Sequence, residues 1–145
     1  VQPFLLAALL ASALASGCAS SVVAVQDRAV ADELALLPWR PATAADVTGH
    51  WRLSSLEGPA AAVLMDLAYW LDEDGHFSGA ALFVGPSPSY QVLAGAWTLS
   101  EGGVLQLGAD AEPARAEVAT TGVQHAWLRL SGGDGSLVLE RAEIR

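Results

Sequence analysis

The chain has no lysine, no asparagine, a single cysteine and a single methionine, and its seven basic residues are all arginine. Without lysine there is neither a Schiff-base nucleophile nor a P-loop cation. Without asparagine there is no N-glycosylation sequon. One cysteine cannot form an internal disulfide, and a Cys-based zinc site needs more than one thiolate. Scarce positive charge, with a net charge of −9 and a pI near 4.5, argues against nucleic acid, which is held by Lys/Arg-rich faces. At 145 residues the chain is long enough for one domain and short for two. A hydrophobic content of 52% is that of a folding chain rather than a disordered one.

From Phe4 to Ala15 the residues are apolar or small, and Ser16 and Gly17 lead directly into Cys18. A dozen apolar residues is too short for a bilayer span, which needs about 20, but suits the apolar region of a signal peptide. The run Ala15-Ser16-Gly17-Cys18, with Leu14 before it, resembles a bacterial lipobox. The resemblance implies cleavage before Cys18 and acylation of that residue, with the membrane as a partner through the lipid anchor. Ala19 in place of aspartate further implies the outer membrane, facing the periplasm, as the address within the bacterial cell envelope. The expected division is therefore a signal peptide over 1–17, the lipidated cysteine with a tether and short helix over 18–45, and a β-domain over 46–145.

Val30, Leu34 and Leu37 form one stripe of a helix expected over 27–37, with Asp27 as its cap and Pro38 and Pro41 ending it. Residues 43–46 could add one more turn. From Gly49 the period becomes two, and eight strands are predicted at 50–57, 63–71, 76–84, 90–99, 103–108, 114–120, 123–131 and 136–142. Asp74-Gly75, Gly102-Gly103, Thr121-Gly122 and Gly133-Asp134-Gly135 supply tight hairpins. Short connections make each strand pair with its predecessor. The fold class expected is all-β: an eight-stranded up-and-down antiparallel meander barrel preceded by one short N-terminal helix. Alternation puts Met65, Leu67, Tyr69 and Leu71 inside, together with Leu93, Trp97, Leu128, Leu130, Leu137, Leu139 and Arg141. Trp70, Trp127 and Arg129 fall outside, where losing Arg129 should cost little.

The segment Asp46-Val47-Thr48-Gly49-His50-Trp51 is a short turn followed by Gly-x-Trp on the first strand, and it resembles the opening of lipocalin-like (calycin-type) proteins. The resemblance runs from Asp46 to the C-terminus and implies that an arginine of the last strand, here Arg141, packs across Trp51 beside Gly49 to close the barrel. Physically this is a cation–π stack of a planar guanidinium on an indole face.

Little chemistry stands out. His50, His76 and His125 lie on separate strands, with no Gly-x-Ser-x-Gly, His-x-His or Glu-x-x-His. Asp72-Glu73-Asp74-Gly75 lacks the later ligands of an EF-hand and reads as a solvated hairpin tip. A non-enzyme without cofactor or metal is expected. Two functions stay open. Met65, Tyr69, Phe77, Phe83, Leu93 and Trp97 could line a cavity for a small apolar ligand inside the barrel. Alternatively those side chains fill the interior, and the outer face, with Trp70 and Trp127, docks an envelope protein partner unless the N-terminal helix and Trp39 cover that wall.

Overall fold

The computed structural model describes residues 32–122, 125–133 and 135–143. The apolar segment, Cys18 and Val30 lie outside the described residues. Residues 32–35 are helical, which agrees with the end of the expected N-terminal helix. The additional turn forms as a helix over Ala44–Val47. Among the described residues no helix is long and apolar enough to cross a membrane.

Nine strands follow one another: β1 (Arg40–Pro41), β2 (Gly49–Glu57), β3 (Leu64–Leu71), β4 (His76–Phe83), β5 (Ser89–Leu99), β6 (Val104–Leu107), β7 (Ala114–Thr121), β8 (His125–Gly132) and β9 (Gly135–Arg141). The last eight correspond one for one to the predicted strands. From β3 onward each is antiparallel to its predecessor, and β9 returns to β2, so the meander closes into an eight-stranded barrel. Closure removes the free edges that an open sheet of this apolar composition would present to other chains. Glycine permits the sharpest hairpins: Gly75 (φ 88°) and Gly103 (φ 78°) occupy a backbone region that other residues rarely tolerate.

The seam between β6 and β7 is short, with only Val104↔Arg115 and Leu105↔Ala114 in register. Farther along β7 the two-residue strand β1 takes the vacant place, with Arg40 opposite Val118 and Pro41 opposite Glu117. The Ala42 N–H continues the ladder to the Ala116 carbonyl at 3.0 Å. This patch was not predicted as strand. Its proline has no N–H to donate and is tolerated because β1 lies at an edge.

The interior is one contiguous core. Trp51, Leu67, Leu71, Leu105, Leu128 and Leu139 are almost wholly buried, and they belong to the same cluster as Tyr69, Phe77, Leu93 and Trp97. Large side chains of β2–β5 share this cluster with the small inward residues Ala114, Ala116 and Ala126 of β7 and β8. Such large-to-small complementarity lets a small barrel fill its own middle.

Strict alternation fails at one predicted interior position. Met65, expected inside, is 62% exposed, while Leu64 beside it is buried. A β-bulge between Leu64 and Asp66 inserts one residue, and a one-residue slip exchanges the two faces of a strand. A second bulge between Leu53 and Ser55 likewise brings Leu56, opposite Leu137, against the core.

The outer wall at β7–β9 is covered as well. Arg129 stacks on the Trp39 ring at 4.3 Å and donates from Nε and Nη2 to Glu117 Oε2 at 3.0 and 2.7 Å. Trp39 in turn donates its indole N–H to the Leu34 carbonyl at 2.9 Å, which holds the N-terminal segment to this wall. Ala119 and Val138 face outward by parity but are buried there. The expectation of a dispensable Arg129 is therefore corrected: its loss would strand a Glu117 carboxylate that is only 16% exposed.

Candidate functional site

The best-defined constellation is the barrel floor, the end where β2 begins and β9 finishes. Trp51 and Arg141 are directly opposite in the β2–β9 register. The Arg141 guanidinium carbon lies 4.8 Å from the Trp51 ring centroid. Gly49 (φ 127°) lies under that guanidinium; a side chain on it would begin 3.9 Å from the Arg141 Cζ, so the crossing is close. The three residues singled out as barrel-closing thus meet.

The geometry differs from the expectation in one respect. Trp51 is fully buried, but Arg141 is exposed, so it lies across the ring as a lid whose outer side meets water. Its Nη2 donates to the Asp46 carbonyl at 2.8 Å and the Thr48 carbonyl at 3.3 Å. The Trp51 indole N–H donates to the Val47 carbonyl at 2.8 Å. Stack and hydrogen bonds together fasten the 44–48 segment across the end of the barrel.

Asp46 organises that segment from the other side. Its carboxylate accepts from Arg40 Nη1 and Nη2 at 2.8 and 2.9 Å, and from the Thr43 N–H and hydroxyl, both at 2.8 Å. The hydrogen-bonded Arg40 guanidinium, aided by Thr43, holds the Asp46 carboxyl well below the usual carboxylate range. A carboxyl that titrates lower in the folded than in the unfolded chain stabilises the fold above the unfolded pKa. That contribution drains away as pH falls from about 4 towards the folded value. Asp46→Asn should therefore narrow the difference in urea midpoint between pH 7 and pH 3. Equal pH dependence in parent and variant would sink this assignment.

An open cleft of about 390 Å3 lies outside the floor, bounded by Thr48, Gly49, Trp70, Asp72, Glu73 and Arg141. It is a surface feature with charge of both signs, and one Arg141 nitrogen is engaged by backbone carbonyls.

The residues predicted to line an internal cavity divide. Tyr69, Phe77, Leu93 and Trp97 are buried at 4–8% exposure, Phe83 is partly buried against the core, and Met65 points to solvent. Two rings of the buried set, those of Tyr69 and Phe77, sit over glycines. Phe77 lies opposite Gly95, where a Cβ would come within 2.9 Å of its ring. Tyr69 lies opposite Gly79, where a Cβ would be 2.9 Å from its ring. The two rings meet edge to face with centroids 6.2 Å apart. Trp97 donates its indole N–H to the Asp72 carbonyl at 2.9 Å and ties the 72–75 hairpin to the interior. Burial also pushes the Tyr69 phenol well above its usual pKa.

The three histidines remain apart. His50 lies 5.6 Å from Trp70, His76 contacts Asp74 at 3.2 Å, and His125 contacts Glu140 at 3.0 Å beneath a stacked Trp127. Among the described residues no group of three or more His, Cys, Asp or Glu could hold a metal ion.

Fold and site together define a closed eight-stranded antiparallel barrel, with one end latched by a tryptophan–arginine stack. No protein-family model, curated protein or solved structure matches the chain.

Proposed function

We propose that this chain is a non-catalytic, lipid-anchored protein of the bacterial cell envelope. In this reading its lipocalin-like barrel is a solid scaffold that works through its outer surface. The observation that carries the reading is the placement of Tyr69 and Phe77 over Gly79 and Gly95, which uses interior volume that a ligand would need. The Trp51–Arg141 latch supports the lipocalin-like character, and the lipobox-like Ala15-Ser16-Gly17-Cys18 supports the anchor. A non-catalytic role is supported by the histidines, two of which rest on exposed carboxylates rather than on a nucleophile.

Anchoring is tested by Cys18→Ser, which should abolish incorporation of a fatty-acid analogue and the partitioning of the protein into detergent. Labelling that persists in the variant overturns the anchor. Native mass spectrometry of the protein from its own host should show the barrel free of small molecules. A stoichiometric apolar ligand would return the function to ligand carriage.

A further inference from the structure

We propose that an apolar tip at the end of the barrel opposite the Trp51–Arg141 floor seats on the zwitterionic bilayer to which Cys18 tethers the chain. The proposal rests on the anchored reading above. Eight large hydrophobic side chains stand exposed among the described residues, and five of them, Val63, Met65, Val84, Tyr90 and Val92, gather here. They come from the start of β3, the end of β4 and the start of β5 with their adjoining loops. The Val84 N–H donates to the Val63 carbonyl at 2.8 Å and joins two of the three segments into one surface. The bulge that turns Met65 outward adds it to the same surface.

Charge sets this region apart. The chain carries 16 acidic residues, yet no Asp, Glu, Lys or Arg occurs from Gly58 to Met65 or from Gly75 to Ser100; the charges that border the tip on these strands are Glu57 and Asp66, the latter half-exposed with Arg52 3.7 Å away. Protein interfaces ordinarily carry about one hydrogen bond per 100–200 Å2 and are enriched in arginine. This tip offers little for such recognition beyond the Tyr90 hydroxyl and short polar groups, which are enough for an interface with lipid. Tyrosine is also a residue enriched at the headgroup level. The 107–114 connection at the same end carries Asp110 and Glu112, so the barrel would tilt onto its β3–β5 side.

The tether is long enough. Residues 19–31 separate Cys18 from the first described residue; with 19–26 extended at about 3.3–3.6 Å each and 27–31 in the expected helix at about 1.5 Å each, they reach roughly 35 Å. An eight-residue strand such as β4 is about 27 Å long, so a segment attached at the β8 wall still allows the opposite end to face the membrane. The chain's net charge of −9 selects zwitterionic over anionic lipid.

The test uses the full anchored protein in phosphatidylcholine vesicles. Cys18 is the only native cysteine, so once it is acylated an introduced one is the sole free thiol. Ser87→Cys, in the tip loop, and Glu101→Cys, in a hairpin at the other end, each receive an environment-sensitive dye. Interfacial apolar groups sit about 5–10 Å into the headgroup boundary, so nitroxide-labelled lipid should quench the Ser87 dye at least about threefold more than the Glu101 dye. Val84→Glu with Tyr90→Glu should abolish that difference while the protein still floats with the vesicles. Added salt should leave it intact, and phosphatidylglycerol should reduce it. Equal quenching at both positions overturns the proposal. So does a Ser87 signal that vanishes on dilution together with a dimer, which would assign the tip to a second copy. Protein that does not float refutes the anchor separately. The Ser87 dye is then read against added vesicles, and an unshifted spectrum overturns the tip by itself.

Discussion

Trp51→Ala is expected to cost about 3–5 kcal/mol, the range for deleting a large buried aromatic side chain. Trp51 is fully buried, its indole N–H satisfies the Val47 carbonyl, and its ring carries Arg141, so the substitution opens a cavity and releases the floor together. Against a typical total stability of about 5–15 kcal/mol this is a large fraction. The melting temperature should fall by about 4–8 °C for each kcal/mol in a domain of this size. The milder pair Trp51→Phe and Arg141→Ala isolates the stack. A cation–π contact is worth about 0.5–1 kcal/mol when exposed and about 2 when desolvated. With one face of Arg141 in water the coupling should fall between these limits. Arg141→Lys should recover little, because an ammonium lacks the flat face and the fork that reach ring and carbonyls together. Arg52, with a side chain 64% exposed beside a half-exposed Asp66, is the suitable reference, with a loss within about 0.5 kcal/mol. Additive effects in the Trp51/Arg141 cycle would remove the latch.

Phe77→Ala distinguishes a solid barrel from a hollow one. Phe77 is 8% exposed, edge-on to Tyr69 and against Gly95, so in a packed interior its loss leaves a void. The cost should again be about 3–5 kcal/mol, since neighbouring strands locked in a closed barrel collapse little. An apolar void of this kind stays dry and takes up small aromatic molecules. Benzene should therefore raise the melting temperature of the variant and leave the parent unchanged, because only a ligand that binds the folded state stabilises it. A loss near zero, or a parent that gains as much from benzene as the variant, would show that the interior is open.

Most of the strand layout could be read from sequence because two local signals agree. Apolar residues recur at every second position, as in Leu67, Tyr69 and Leu71, and glycines stand where the hairpins need positive φ, as at Gly75 and Gly103. Partners of the floor were legible only through a resemblance: Gly49-His50-Trp51 is similar to a lipocalin-like opening, which implied an arginine of the last strand, Arg141, across the ring. Three features were not legible. A bulge leaves no mark in the pattern when both candidates for the interior, Leu64 and Met65, are apolar. Strand β1 is two residues long and half proline, too short for any period to show. The setting of Arg129 depends on Trp39, about 90 residues away, which only the closed fold brings to the same wall.

What the sequence determined by itself is the all-β class, the order of eight strands and the glycine hairpins, because these depend on neighbours within one or two residues along the chain. It also carried the uncharged stretch from Gly75 to Ser100 as composition. Only the tertiary structure decided which apolar residues are covered. Tyr69, Phe77, Leu93 and Trp97 became core while Met65, Tyr90 and Val92 were left facing out. The physical reason is that burial is a property of closure: a side chain leaves water only when strands distant in sequence come together around it.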